Sequence, residues 1–219
     1  MTQPTLIIGN RNYSSWSLRA WLMLKMTGQP FEEIQIALDE TNTKQEILRY
    51  SPSGRVPVMI WDELSVWDSL AIGEYLAERL PGARLWPEDP TARSIARSVS
   101  SEMHSGFTAL REHMPMNIRG SFPGIGREQG VQEDINRIAA IWRRCRKRFG
   151  TSVDEGFLFG HFSIADAMFA PVATRFTTFA VELGEEEQDY VDRILGLPAM
   201  RDWVTAAENE PMIIESAEF

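Results

Sequence analysis

The first part of the chain alternates short strand-like apolar runs with helical segments, and from Thr91 onward the apolar period is that of a helix. Thr5 to Ile8 is an apolar run of strand length. The polar stretch Asn10 to Ser15 separates it from a helix over about Trp16 to Met26, stopped by Gly28 and Pro30. Ile34, Ile36 and Leu38 alternate within Phe31 to Leu38, which predicts a half-buried strand. A short helix over Thr43 to Tyr50 is interrupted by SPSG. Val56 to Ile60 and Leu64 to Trp67 then read as two strands joined at Asp62-Glu63, followed directly by a helix from Ser69 to about Leu80.

A strand-helix-strand unit, a helix and a strand-strand-helix unit follow one another in the order of a thioredoxin-like α/β domain, whose first parallel pair connects right-handedly. Leu80-Pro-Gly and the run WPEDP ending at Pro90 break any helix. The expected domains are therefore residues 1–81, a linker 82–90 and an all-helical domain 91–219. In the second domain, Ile95, Val99, Met103, Phe107, Leu110 and Met114 form one long helical stripe stopped by Pro115. The Gly- and Pro-rich stretch after it reads as a loop. Val131, Ile135, Ile138, Trp142, Cys145 and Phe149 share one face of a further helix. Ser163, three residues before Asp166, is a variant capping box, and Pro171 is expected to kink or break the helix it starts. Two amphipathic helices and a tail complete a C-terminal helical bundle.

A formal net charge of -9 leaves no dominant basic surface, which argues against a nucleic-acid partner. The cluster RRCRKR lies at a helix C-terminus, with Glu133 and Asp134 at the opposite end, and reads as a solvated face. The N-terminus has no signal-peptide pattern and no run of 18 apolar residues occurs, so a cytoplasmic protein without a membrane partner is expected. Cys145 is alone and reads as a small core side chain, while His104, His113 and His161 lack zinc-site spacing, so no metal is expected.

Pro57 at a strand start makes Val56-Pro57 a candidate cis peptide, which would turn the Val56 N–H and C=O outward to pair with an extended peptide. Asp68 and Ser69 open the next helix, where free N–H groups favour a carboxylate and the Asp68 side chain can hold an ammonium. Singly, each is more often an ordinary turn or cap. Together they describe a site for a small zwitterionic peptide. In the loop before the first helix, Ser14 and Ser15 can donate to a bound thiolate or simply cap that helix.

VPV, a hairpin and then DSLAIGEYL resembles the glutathione-binding half of the cytosolic glutathione transferases. SSWSLRAWL is similar to the thiol loop of their zeta class, which includes maleylacetoacetate isomerases, and the segment around Ser163 is similar to the capping segment of their helical domain. The resemblance spans nearly the whole chain. It implies glutathione as co-substrate, with Val56 on the cysteinyl backbone, Asp68 and Ser69 on the γ-glutamyl end and Arg55 near the glycyl carboxylate. Ser14, with Ser15 adjacent, would stabilise the thiolate, and Tyr13 is a further candidate hydroxyl. Met103, His104, Phe107 and Arg111 would border the pocket for a small electrophile, and Arg175 is similar to a zeta-class arginine near the acidic substrate. Where that class has cysteine, this chain has Trp16. The implied function is a glutathione transferase activating the thiol for attack on an electrophile. An isomerase of maleylacetoacetate type, a peroxidase and a non-catalytic glutathione-binding scaffold stay open. Related folds pair, so a homodimer is expected.

Overall fold

The computed structural model describes residues 3–150 and 155–219. Strands β1 (Thr5–Ile8), β2 (Glu32–Gln35), β3 (Val58–Trp61) and β4 (Leu64–Val66) form one sheet in the order β2-β1-β3-β4. β1 runs parallel to β2, and β3 runs antiparallel to both β1 and β4. Helices α1 (Ser15–Met26), α2 (Thr43–Leu48) and α3 (Ser69–Arg79) connect and follow the strands. Successive side chains of a strand point to opposite faces, and the sheet is buried accordingly. Leu6, Ile8, Met59 and Trp61 join the main core with α1 and α3, while Ile7 and Val58 meet Ile36 and Ile47 in a smaller second core. β2 is regular over fewer residues than its alternation predicts, yet Ile36 still donates to the Ile8 carbonyl at 2.9 Å.

The second half is helical: α4 (Pro90–Ser105), α5 (Thr108–His113), α6 (Val131–Phe149), α7 (Ile164–Thr178), α8 (Glu185–Leu195) and α9 (Pro198–Glu208). The joint between the halves is α1, which packs on β1, α3, α7 and α9. That position explains why it is buried on nearly every side, from Leu18 through Leu24. Among the described residues no helix is long and apolar enough to cross a membrane.

One helical expectation is corrected and a second is narrowed. The stripe from Ile95 to Met114 is one helix by periodicity, but it breaks at Gly106, which is extended, and Phe107, at φ 60°. Arg111 folds back from α5 onto the carbonyls this exposes, donating to Gly106 at 2.9 Å, His104 at 3.3 Å and Met103. A cation at a helix C-terminus is favoured by the dipole, so the break is stabilised from both sides. Conversely, Pro171 does not end its helix: α7 continues to Thr178, and of its residues only Thr177 is not buried. A mid-helix proline costs about 3 kcal/mol, an amount that full burial of one or two large side chains offsets.

At the start of α7, the fully buried Asp166 accepts hydrogen bonds from Ser163 N–H (2.9 Å), Ser163 Oγ (2.8 Å), Leu158 N–H (3.0 Å) and the Tyr190 hydroxyl (3.0 Å). Burial nevertheless raises its pKa to about 6. Cys145 is buried on α6, and burial pushes its thiol up to about 12. It is an inert core side chain.

Candidate functional site

A cavity of about 450 Å³ opens where the β3 approach, the start of α3 and the first turn of α1 meet α4. Ser53, Arg55, Val56 and Pro57 line one side, and Trp67, Asp68 and Ser69 line the next. Trp16 from α1 and His104 from α4 close it. The structure thus brings Arg55, Val56, Asp68, Ser69 and His104 together from three separate stretches of chain.

The peptide bonds Val56–Pro57 and Trp67–Asp68 are both cis. Val56 precedes β3, and neither its N–H nor its C=O pairs with a backbone group among the described residues. That leaves a donor and an acceptor beside the cavity, as an added extended peptide requires. Asp68 is the N-cap of α3: its Oδ1 accepts from Leu70 N–H at 3.0 Å and Ala71 N–H at 3.4 Å. Its Oδ2 lies 3.1 Å from Nε2 of His104, and the Asp68 side chain is still 53% exposed. Ser69 is the opposite case, since it is fully buried and its hydroxyl has no hydrogen-bond partner among the described residues. A buried hydroxyl without a partner is destabilising, and this one stands at a cavity and a helix N-terminus, where an acceptor could complete it. Arg55 is exposed at the rim.

The three hydroxyls of the loop before α1 differ. Tyr13 is drawn towards the C-terminal tail: its hydroxyl donates to Glu218 at 2.5 Å and accepts from Arg119 at 3.0 Å. Ser14 is the N-cap of α1, accepting from Ser17 N–H at 3.3 Å and donating to Ser17 Oγ at 2.8 Å. Ser15 opens the helix, is 7% exposed, and its hydroxyl bonds to none of the described residues. The loop itself is tied down by the buried Glu210, whose carboxylate accepts from Arg11 N–H at 2.7 Å and Asn12 N–H at 3.1 Å.

Of the residues expected around a second pocket, His104 alone reaches the cavity. Met103 and Phe107 are buried in the main core. Arg175 is buried on α7 and donates to the Met114 carbonyl at 2.8 Å and the Pro171 carbonyl at 3.3 Å. Arg111 lies 4.8 Å over the Trp16 ring, and Arg19 lies 4.4 Å over the same ring. Burial, then the charges of Arg111 and Arg175, lowers the pKa of Arg19, and burial with Arg111 lowers that of Arg175 to about 9. In sequence Trp16 is a helix start and a departure from the family motif, not a candidate site residue, yet it forms this wall of the cavity and meets His104 edge-on at 5.2 Å. Trp67, read in sequence only as the end of a strand, is a large aromatic that the fold leaves 44% exposed beside Asp68.

Residues 13–79 match the glutathione S-transferase N-terminal domain, and residues 128–206 match the glutathione S-transferase C-terminal domain. The chain has the glutathione transferase fold. It is 28% identical over 184 residues to the maleylacetoacetate isomerase of Rattus norvegicus, covering 83% of this chain and 82% of that one. It is 25% identical over 185 residues to a probable maleylacetoacetate isomerase of Caenorhabditis elegans, covering 83% and 82%. A Burkholderia glutathione transferase homolog solved with bound glutathione superposes with a TM-score of 0.70 at 24% identity, covering 95% of this chain and 99% of that one. Within the glutathione transferase fold, the cavity lies between the sheet-bearing half and the helical half.

Proposed function

We propose that the protein binds glutathione in this cavity and activates its thiol for attack on a small electrophile. The observation that carries the reading is the convergence, in one cavity, of the half-exposed Asp68 carboxylate with a Val56 backbone and a Ser69 hydroxyl that lack, respectively, a backbone partner and any hydrogen-bond partner among the described residues. Val56 pairs with the cysteinyl backbone, Asp68 receives the γ-glutamyl ammonium, and Ser69 with its own N–H receives the γ-glutamyl carboxylate. Arg55 meets the glycyl carboxylate. The thiol then lies towards the N-terminus of α1, where dipole and hydroxyl favour the thiolate. The thiol proton passes to solvent, sulfur forms a bond to the electrophilic carbon, and the leaving group departs with its electron pair. Ser15 is the hydroxyl free to donate, whereas the Ser14 proton is already given to Ser17.

Titration of bound glutathione by thiolate absorbance tests this. Wild type is expected to bind it saturably with a lowered thiol pKa, and Ser15→Ala to raise that pKa while Ser14→Ala mainly lowers stability. A shift with Ser14→Ala alone would move the role to Ser14. Binding without any lowered pKa would leave a non-catalytic binding protein.

The similarity to proteins named maleylacetoacetate isomerases favours a second reading, in which the thiolate adds to a conjugated double bond, the single bond formed rotates, and the thiolate is expelled. Turnover of maleylacetone without net glutathione consumption distinguishes it from transfer. Pairing as a homodimer belongs to the proposal and is checked by light scattering.

A further inference from the structure

We propose that His104 is a positioning residue for Asp68, and through it makes the cavity selective for a ligand that carries an ammonium. The inference rests on the glutathione reading. Asp68 Oδ1 is committed to its own helix through Leu70 and Ala71, a contact that leaves the carboxylate free to tilt. The second oxygen is held from a different element, by Nε2 of His104 at 3.1 Å. The imidazole is itself fixed. Its edge contact with Trp16 is 5.2 Å between ring centroids, and Arg111 donates to its backbone carbonyl at 3.3 Å. Nδ1 is buried without a partner among the described residues, and Nε2 faces a carboxylate oxygen, which can only accept, so Nε2 is the nitrogen that carries a proton. His104 therefore donates, and Asp68 keeps lone pairs for a cation in the cavity that both residues line.

The test is calorimetric titration of the full chain with two ligands, glutathione and glutaryl-cysteinyl-glycine, which lacks only the amino group. His104→Leu is expected to weaken glutathione about tenfold, the size of one charge-assisted hydrogen bond, and the deaminated ligand by no more than about twofold. His104→Gln keeps an N–H donor and should restore most of the affinity. On an Asp68→Asn background, His104→Leu should add nothing further. Equal weakening of both ligands would overturn the inference, because His104 would then be a general wall of the cavity. So would unchanged glutathione affinity in His104→Leu. If wild type binds neither ligand, the glutathione reading itself fails and takes the inference with it. Imidazole nitrogen NMR on the free protein gives an independent readout, in which a proton on Nδ1 instead of Nε2 overturns the proposed donor. Melting midpoints of the variants separate loss of fold from loss of affinity.

Discussion

The helices α3 and α7 begin with the same chemistry, a serine and an aspartate in the first turn, and use it in opposite ways. At α7 the carboxylate of Asp166 is fully buried and accepts four hydrogen bonds from three residues, one of them the hydroxyl of Ser163. At α3 the carboxylate of Asp68 is half exposed, and the hydroxyl of Ser69 is buried with no partner among the described residues. One start is completed from within the fold, and the other faces a cavity and is left incomplete. On the proposed reading, a cap serves as a binding site because tertiary structure withholds its last partners, not because its residue types differ.

The largest expected effect breaks the α7 side. Asp166→Ala leaves the donors of Ser163, Leu158 and Tyr190 buried and unpaired, which should lower unfolding free energy by on the order of 4 kcal/mol in urea titrations. Glutathione affinity of the molecules that stay folded should not change. A comparable loss of affinity would mean the two helix starts are not separable.

The pH dependence of the same group comes next. Its folded pKa, about 6, lies above the ordinary carboxyl value, so the folded state holds this proton more tightly than the unfolded chain. The stability it contributes is therefore fullest at low pH and is lost as the pH rises through about 6, by up to about 3 kcal/mol. The advantage of wild type over Asp166→Asn, which cannot titrate, should shrink between pH 4 and pH 7. An advantage that grows over that range would reverse the assigned sign.

How much of this was legible follows from the range of each interaction. The hairpin, the Val56-Pro57 turn and both caps depend on neighbours a few residues apart, and their residues could be read in sequence. The expected one-helix stripe failed because period alone does not register Gly106, or Arg111 turning back onto the end of α4. Of the two outcomes expected at Pro171, the break is absent for the converse reason, since α7 runs on to Thr178 while packed against α1, α4 and α8. His104 had no promising partner nearby in sequence, because its partner, Asp68, lies in the other half of the chain. Tyr13 looked available because nothing local reveals that the C-terminal Glu218 accepts its hydroxyl. The groups that open the site are legible, and those that orient them are not.

On the α3 side, Asp68→Ala should weaken glutathione by about 2 kcal/mol through loss of the paired ammonium, and lower stability by about 1 kcal/mol through loss of the cap. The ratio of the two effects is the informative quantity. Calorimetry and thermal melts on one preparation give both, and a loss confined to stability would reduce Asp68 to a cap like Ser163.

The smallest effects discriminate best, because the two serines should respond with opposite signs. Ser163→Ala removes a hydroxyl that donates to Asp166 at 2.8 Å, and should lower stability by about 1 kcal/mol with no effect on ligand. Ser69→Ala removes a buried hydroxyl that has no partner among the described residues, so the free protein should be as stable as wild type or more so, by less than about 1 kcal/mol. On the proposed reading, its affinity for glutathione should nonetheless fall by about 1 kcal/mol, through loss of a hydroxyl donor to the γ-glutamyl carboxylate. Destabilisation of free Ser69→Ala would show that the hydroxyl has a partner within the fold, and α3 would then start as α7 does.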